Sequence, residues 1–164
     1  MKHKGNQKNK AAPSNPTIAV NRNARFNYEL GDHFEAGIEL LGWEVKSIRQ
    51  GKAQISDSYV IMRNNEAFIF GSVIHPLLST STHIKPEDNR TRKLLLHRRQ
   101  LNLLRSHIER KGYTIVPIKL YWSNKNKVKI EIALAKGKQL HHKRAAEKES
   151  DLKRQLSRIK SITK

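Results

Sequence analysis

Asp32 and the triplet Glu44-Val45-Lys46 are the side chains whose types and spacing come nearest to a catalytic pattern. An acidic residue followed by E-x-K can hold Mg²⁺ through its carboxylates while the lysine assists an attacking water. The chemistry would be metal-dependent nucleic-acid hydrolysis. That pattern needs E-x-K on a strand, whereas Gly42-Trp43 opens a segment that reads as a helix, so solvated helix charges are the competing reading. Residue type excludes much else. The chain has no cysteine, which removes disulfides, thiol nucleophiles and thiolate zinc sites together. Of its eight histidines none forms H-E-x-x-H, and only His141-His142 are neighbours, whose side chains diverge on a helix. A phosphate-cradling loop fails as well: Ile38, Leu40 and Leu41 fill Gly37 to Gly42, and Trp43 stands where lysine is required. No metal or cofactor is expected.

Phosphate neutralisation is the chemistry best supplied. Lys and Arg number 33 against 14 Asp and Glu in 164 residues, a net charge of +19 that selects a polyanionic partner. Arg90, Arg92, Lys93, Arg98 and Arg99 put five basic side chains in ten residues, with Arg22, Arg25, Lys46, Arg49 and Lys52 elsewhere on the central part of the chain. Neither a helix-turn-helix pattern nor a zinc finger is present. Small β-barrels commonly bind structured or single-stranded RNA, so RNA is expected over DNA.

The elements that must position these residues are mainly strands. In SYVIMRNNEAFIFGSVI two β-rich runs meet at Asn64-Asn65, which tolerate the positive φ of a tight hairpin. YTIVPIKLYW, SNKN and KVKIEIALA form a second hairpin, in which Val128, Ile130, Ile132 and Leu134 alternate with Lys127, Lys129 and Glu131: one face core, the other wet. Pro117 cannot donate to a ladder, so its strand lies at an edge or carries a bulge. Ala24 to Leu30 and His33 to Leu41 add two strands, giving six, enough to close a small barrel. Two helices interrupt them. GWEVKSIRQG carries Glu44 early and Lys46 and Arg49 late, and RKLLLHRRQLNLLRSHIERKG aligns Leu101, Leu104 and Ile108 before Gly112.

All ten aromatic residues fall between Phe26 and Trp122, so the core is central. Residues 1–16 carry four lysines, no acid and two prolines, a composition that reads as a disordered basic arm. Residues 17–138 form the barrel domain. From 139 to 164 runs a basic tail whose Leu152, Leu156 and Ile159 recur at helical spacing, a helix marginal without a surface to lie on. The net charge divides as +4 for 1–20, +8 for 21–135 and +7 for 136–164. With no apolar leader and no apolar run near the ~18 residues of a membrane span, a cytoplasmic protein is expected.

Asn21-Arg22-x-Ala24-Arg25, Phe34-Glu35-Ala36-Gly37-Ile38, Gly42-Trp43-Glu44-Val45-Lys46-Ser47, Gly51-Lys52-Ala53, Asp57-Ser58-Tyr59 and Arg90-Thr91-Arg92-Lys93-Leu94-Leu95-Leu96 follow in an order and spacing that resembles the SmpB, or SsrA-binding protein, family. Gly112-Tyr113-Thr114, Leu120-Tyr121, Lys136-Gly137-Lys138 and Lys143-Arg144 continue it into the tail. The resemblance implies an OB-fold-like antiparallel six-stranded β-barrel with flanking helices and no enzymatic activity. It further implies binding to the tRNA-like domain of tmRNA, support of its alanylation, and delivery with EF-Tu to stalled ribosomes. EF-Tu and alanyl-tRNA synthetase are then partners only through tmRNA.

The family's tmRNA contacts fall on Asn21, Glu35 and Leu95, whereas Arg22, Arg25, Lys46, Arg49, Lys52, Arg92 and Lys93 join them on charge and location. The family's tail becomes helical on the ribosome, starting at the decoding centre and running along the empty mRNA channel. The matching positions here are Lys136, Gly137, Lys138, His141, Lys143, Arg144, Lys153, Arg154, Ile159 and Lys160, with His142 where the family usually has Asp. A Mg²⁺-dependent nuclease using Asp32, Glu44 and Lys46, and a structural ribosomal protein, are the alternatives.

Overall fold

A computed structural model describes residues 16–80 and 85–138. Its clearest local feature is the hairpin of β4 (Tyr59–Arg63) and β5 (Glu66–Phe70), paired from Tyr59↔Phe70 to Arg63↔Glu66. Asn64 and Asn65 sit at φ 50° and 59°, the left-handed pair of a two-residue turn whose twist matches the strands. The second hairpin joins β8 (Thr114–Trp122) to β9 (Val128–Gly137). Its register shifts between Pro117 and Lys119, the bulge expected where proline has no N–H to give.

Pairings β8–β4, β4–β5, β5–β7, β7–β2, β2–β9 and β9–β8 close a ring of six strands, with β2 spanning Tyr28–Ile38 and β7 Arg92–Leu95. The fold is mainly β. Strand β1 (Thr17–Val20) adds to β8 outside the ring, while β3 (Ala53–Gln54) and β6 (Val73–Ile74) pair separately. Inside lie Ile69, Leu94, Ile115, Ile130, Ile132 and Leu134. Helix α2 (Gly42–Arg49) adds Trp43 and Ile48 to this core, and α3 (Arg98–Lys111) adds Leu104 at zero exposure with Leu101 and Ile108 beside it. Truncating Leu104 to alanine would leave a cavity costing ~2–5 kcal/mol. Gly112 ends α3 at φ +64°, its N–H returning to the His107 carbonyl.

Three sequence expectations are corrected. Ala24 to Asn27 are helical: Asn21 caps α1 (Arg22–Asn27), and the strand expected over 24–30 begins at Tyr28, merging with the next into one eleven-residue β2 that bulges between Leu30 and His33 and stops at Ile38. Arg92 to Leu95 form a strand, because Arg92↔Ile69 and Leu95↔Gly37 pairing fixes them between β5 and β2, and α3 starts only at Arg98. The outer face of β9 is not wet throughout. Ala133 and Ala135 are buried there in a second small core with Ala24, Val116 and Ile118, roofed by α1. Among the described residues no helix is long and apolar enough to cross a membrane.

Candidate nucleic-acid interface

Strand alternation turns His33, Glu35 and Gly37 of β2 outward and Phe34 and Ala36 inward. Glu35 therefore lies opposite Glu131 of β9, two carboxylates in register that would repel if left alone. Each has its own partners. Lys129 Nζ stands 3.3 Å from Glu35, and the Tyr121 hydroxyl donates to the other Glu35 oxygen. Glu131 takes His33 Nδ1 at 2.6 Å and Lys119 Nζ at 3.0 Å. The Tyr121 hydrogen bond, helped by Lys129, holds the Glu35 carboxyl below the usual carboxylate range. Burial pushes the Tyr121 phenol well up, and the adjacent Glu35 charge pushes it further, so it stays a neutral donor. Burial works to raise Glu131, but His33 and Lys119 outweigh it and keep it ionised.

Glu35 itself remains open, with its side chain 55 % exposed. A carboxylate offers about four lone-pair sites, so after Tyr121 and Lys129 it can still accept from a ribose 2′-OH or a base amino group. Next along β2, Gly37 pairs with Leu95 and with Lys129. A Cβ on Gly37 would come 3.2 Å from Leu95 Cβ, so the bare backbone is what lets Leu95 lie beside Glu35, more than half exposed. A cleft of about 980 Å³ opens here, with Glu35, Lys93, Leu95, Trp122, Lys127 and Lys129 among its walls. Lys93 is braced by Glu66 at 2.6 Å, the contact that raises its pKa. Arg49 places its guanidinium 6.0 Å from the Trp122 ring centre.

The residues expected to contact RNA thus separate. Glu35, Lys93 and Leu95 come together on the cleft, with Arg49 beside it at Trp122. Arg22 and Arg25 are exposed on α1, near Lys136, Gly137 and Lys138, at the other end of β2. Lys138 ties the two stretches together, Nζ donating to the Arg25 carbonyl at 2.8 Å. Nine residues of extended chain put this group roughly 30 Å from Gly37. Asn21 is 5 % exposed and its amide is occupied, Oδ1 accepting from Ala24 N–H at 3.1 Å and Nδ2 donating to the Pro117 carbonyl at 3.0 Å. It docks α1 on β8. Lys46 and Lys52 are exposed but do not line the cleft. His141, Lys143, Arg144, Lys153, Arg154, Ile159 and Lys160 lie outside the described residues.

Arg92 is a correction. It has no exposed surface, and its guanidinium donates to Glu44 Oε1, to the carbonyl and hydroxyl of Ser72, and to the Arg90 and Asp88 carbonyls. No donor remains for a phosphate. Glu44, read as a solvated helix charge or a metal ligand, is buried too, accepting from Arg90 and Arg92 and from Leu41 N–H at 2.7 Å. Burial disfavours its charge, but these donors outweigh it and set its pKa below normal. Burial lowers the Arg92 pKa from a starting point so far above neutrality that the pair stays ionised. The E-x-K carboxylate is thus spent on holding α2 to the 88–92 segment, and no group of three or more metal-ligating side chains gathers among the described residues.

Sequence reading missed Tyr121, Trp122, Lys127 and Lys129 as site residues. Their signal was limited to strand alternation, since the Glu35 they surround lies 86 residues before Tyr121.

The SmpB protein family model matches residues 18–162. The chain belongs to the SmpB family. The SsrA-binding protein of Xylella fastidiosa (strain 9a5c) is 52 % identical over 158 residues, covering 96 % of this chain and 93 % of its own length. That of Alcanivorax borkumensis is 51 % identical over 155 residues, covering 94 % and 97 %. A solved SmpB-family chain, described as "tmRNA-SmpB: a journey to the center of the bacterial ribosome", superposes with a TM-score of 0.60 at 38 % identity, covering 74 % of this chain and 84 % of that one. In this member of the SmpB family the cleft between Glu35 and Leu95 combines charge, hydrogen-bonding capacity and exposed apolar area.

Proposed function

We propose that this chain binds tmRNA, the SsrA RNA, at its tRNA-like domain and delivers alanyl-tmRNA to stalled ribosomes for trans-translation. The ring of six strands is read as an OB-like barrel serving as an RNA-binding scaffold. One observation carries the reading: a carboxylate, Glu35, is held ionised and half-exposed by Tyr121 and Lys129 on a face otherwise built to attract phosphate. Lys93, Lys127 and Lys129 draw the RNA backbone in, while Glu35 accepts from RNA donors and Leu95 packs against a ribose or base. The first supplies affinity, the second register. Asn21 acts by setting α1, which presents Arg22 and Arg25, and Lys46, Arg49 and Lys52 extend the basic footprint. Arg92 acts from within, by keeping β7 and α2 in place.

The protein acts as an escort in the cytoplasm with no catalytic step of its own. EF-Tu and alanyl-tRNA synthetase meet it only through tmRNA. The tail from Lys136 engages the ribosome, with His141, Lys143 and Arg144 at the decoding centre and Lys153, Arg154, Ile159 and Lys160 along the empty mRNA channel. The test is to sequence the RNA that copurifies with the full chain and to assay tagging of stalled peptides in vitro. Enrichment of one small RNA with tagging activity is expected. Mg²⁺-dependent, EDTA-sensitive RNA degradation, or presence on every high-salt-washed ribosome without tmRNA, would overturn it.

A further inference from the structure

The cleft is less positive than the chain that carries it. Lys93, Lys127 and Lys129 line it against two carboxylates, Glu35 and Glu66, a formal +1 on a protein of +19. Two of these lysines are already engaged: Lys129 stands by Glu35, and Lys93 Nζ lies 2.6 Å from Glu66 Oε1. The Glu66 pair crosses strands. Glu66 opens β5 straight after the Asn64-Asn65 turn, and Lys93 of β7 lies opposite Phe68, two residues further along β5, so strand alternation puts both side chains on one face of the sheet. Glu66 differs from Glu35 in its company. No hydroxyl helps to hold it, and its one side-chain partner among the described residues is Lys93.

We infer that Glu66 is a specificity determinant of the cleft, masking the charge of Lys93 so that only an RNA whose phosphate arrives in register gains that contact. The inference rests on the proposed function. Affinity for RNA of any sequence grows with the number of phosphates a protein neutralises, so a free lysine rewards every RNA alike. A lysine closed onto a carboxylate does not, because the pair carries no net charge to act at long range. Lys93 keeps capacity all the same: an ammonium has three N–H donors, and Glu66 takes one. A phosphate on the side of the ammonium away from Glu66 is bound; one displaced toward Glu66 meets a carboxylate. Glu66 thus discriminates by repelling the misplaced ligand rather than by attracting the right one. Its hydrogen bond also raises the Lys93 pKa, so the masked lysine stays charged. Glu39, whose charge acts on Lys93 as well, is exposed and outside the lining of the cleft, which makes it a comparison of equal charge.

Glu66→Gln keeps the size of the side chain and removes its charge, and Glu39→Gln makes the same charge change off the cleft. Filter binding of the full chain to tmRNA and to a scrambled RNA of equal length, at several salt concentrations, reads both. In Glu66→Gln the scrambled RNA should bind roughly fivefold tighter at about 0.15 M salt, with a slope of log affinity against log salt steeper by about 0.7 to 0.9, the worth of one added phosphate contact. Binding of tmRNA, which already makes that contact, should stay within about twofold, so discrimination between the two RNAs falls. Glu66→Asp should restore it, Glu39→Gln should leave it unchanged, and Lys93→Ala added to Glu66→Gln should cancel the steeper slope. Weaker tmRNA binding with the scrambled RNA unaffected would make Glu66 a brace for Lys93 and nothing more. Equal tightening of both RNAs, an equal effect from Glu39→Gln, or no change in either RNA would leave Glu66 without a role in selection. Each of these results overturns the inference. An unsubstituted chain that binds tmRNA no better than the scrambled RNA would instead overturn the proposed function.

Discussion

The Tyr121 hydroxyl reaches past β9 to donate to the Glu35 carboxylate, joining two strands, β8 and β2, that share a neighbour but do not pair with each other. The bond fixes where an exposed negative charge sits on a strongly positive protein. Pure electrostatics would have Glu35→Ala tighten RNA binding. The arrangement predicts weakening, because the carboxylate is aimed rather than free.

Tyr121→Phe should lower tmRNA affinity roughly three- to tenfold, a charge-assisted hydrogen bond discounted for the exposure of Glu35. Combined with Glu35→Ala it should add nothing further, since both changes remove one arrangement. Affinity should be flat from neutral to mildly alkaline pH, because Glu35 is held ionised and Tyr121 held neutral. It should fall only on acidification through the lowered Glu35 pKa. Filter binding of the two single variants and the double variant checks this; additive losses would show that the two residues act separately.

Glu44 and Arg92 predict a stability effect without an RNA effect. Removing either leaves the other as a buried charge short of its partner, a loss of ~3–5 kcal/mol. The folded-state pKa of Glu44 lies below its unfolded value, so its contribution is complete above the unfolded pKa near 4.5 and disappears as pH falls through the folded one. Urea midpoints of the unsubstituted protein should therefore drop between pH 6 and pH 3, and Glu44→Ala should drop less steeply from a lower start. Arg92→Ala, measured where it is still folded, should leave the salt dependence of RNA binding unchanged. A shallower salt dependence would restore Arg92 as a phosphate contact.

How far the sequence spoke depended on how local each cause was. The β4–β5 turn was legible because Asn64 and Asn65 carry their own tolerance of positive φ, and the end of α3 because Gly112 does. Arg92 to Leu95 was read as helix because nothing between Leu95 and Arg98 punctuates the run; cross-strand pairing with residues in the sixties and thirties decides it. Ala24 followed the cap at Asn21, a signal present but overlooked beside the β-rich residues after it. Charge gave no hint of burial. Arg92 looks like Lys93 in sequence, yet its partner Glu44 is 48 residues away. Glu35 and Leu95 were named only through the family resemblance, and the pairing of Gly37 with Leu95 supplies the physical reason they act together.

Lysines on the cleft should set the salt dependence. Lys127 is exposed, lines the cleft, and makes no ion pair among the described residues, so Lys127→Ala should remove one phosphate contact without disturbing Glu35. The slope of log affinity against log salt should become shallower by about 0.7 to 0.9, while the fold stays unchanged. Lys129→Ala should do more, since Lys129 also braces Glu35. Titrations at three salt concentrations separate the two effects: a slope change alone for Lys127, a slope change plus an affinity loss that persists at high salt for Lys129.

Cutting the chain after Lys138 should separate binding from function. The ring of six strands, both apolar cores and the cleft are complete within residues 16–138, and the last ties to α1, from Lys138 N–H to the Asn27 carbonyl and from its Nζ to the Arg25 carbonyl, are retained. What is removed has no aromatic residue, and Leu140, Leu152, Leu156, Ile159 and Ile162 are spread too thinly to be needed by a core already closed. The truncated protein should melt within a few degrees of the full chain and bind tmRNA within about twofold, because every residue named on the Glu35 face is retained and the charge removed with the tail is screened at physiological salt. Tagging of stalled peptides should be abolished. Within the full chain, Lys143→Ala with Arg144→Ala and, separately, Ile159→Asp should each reduce tagging while leaving filter binding intact, the last by forcing an unpaired charge into a contact surface. Binding and tagging lost in parallel on the truncated protein would place the tail in the tmRNA site and refute the division of labour between barrel and tail.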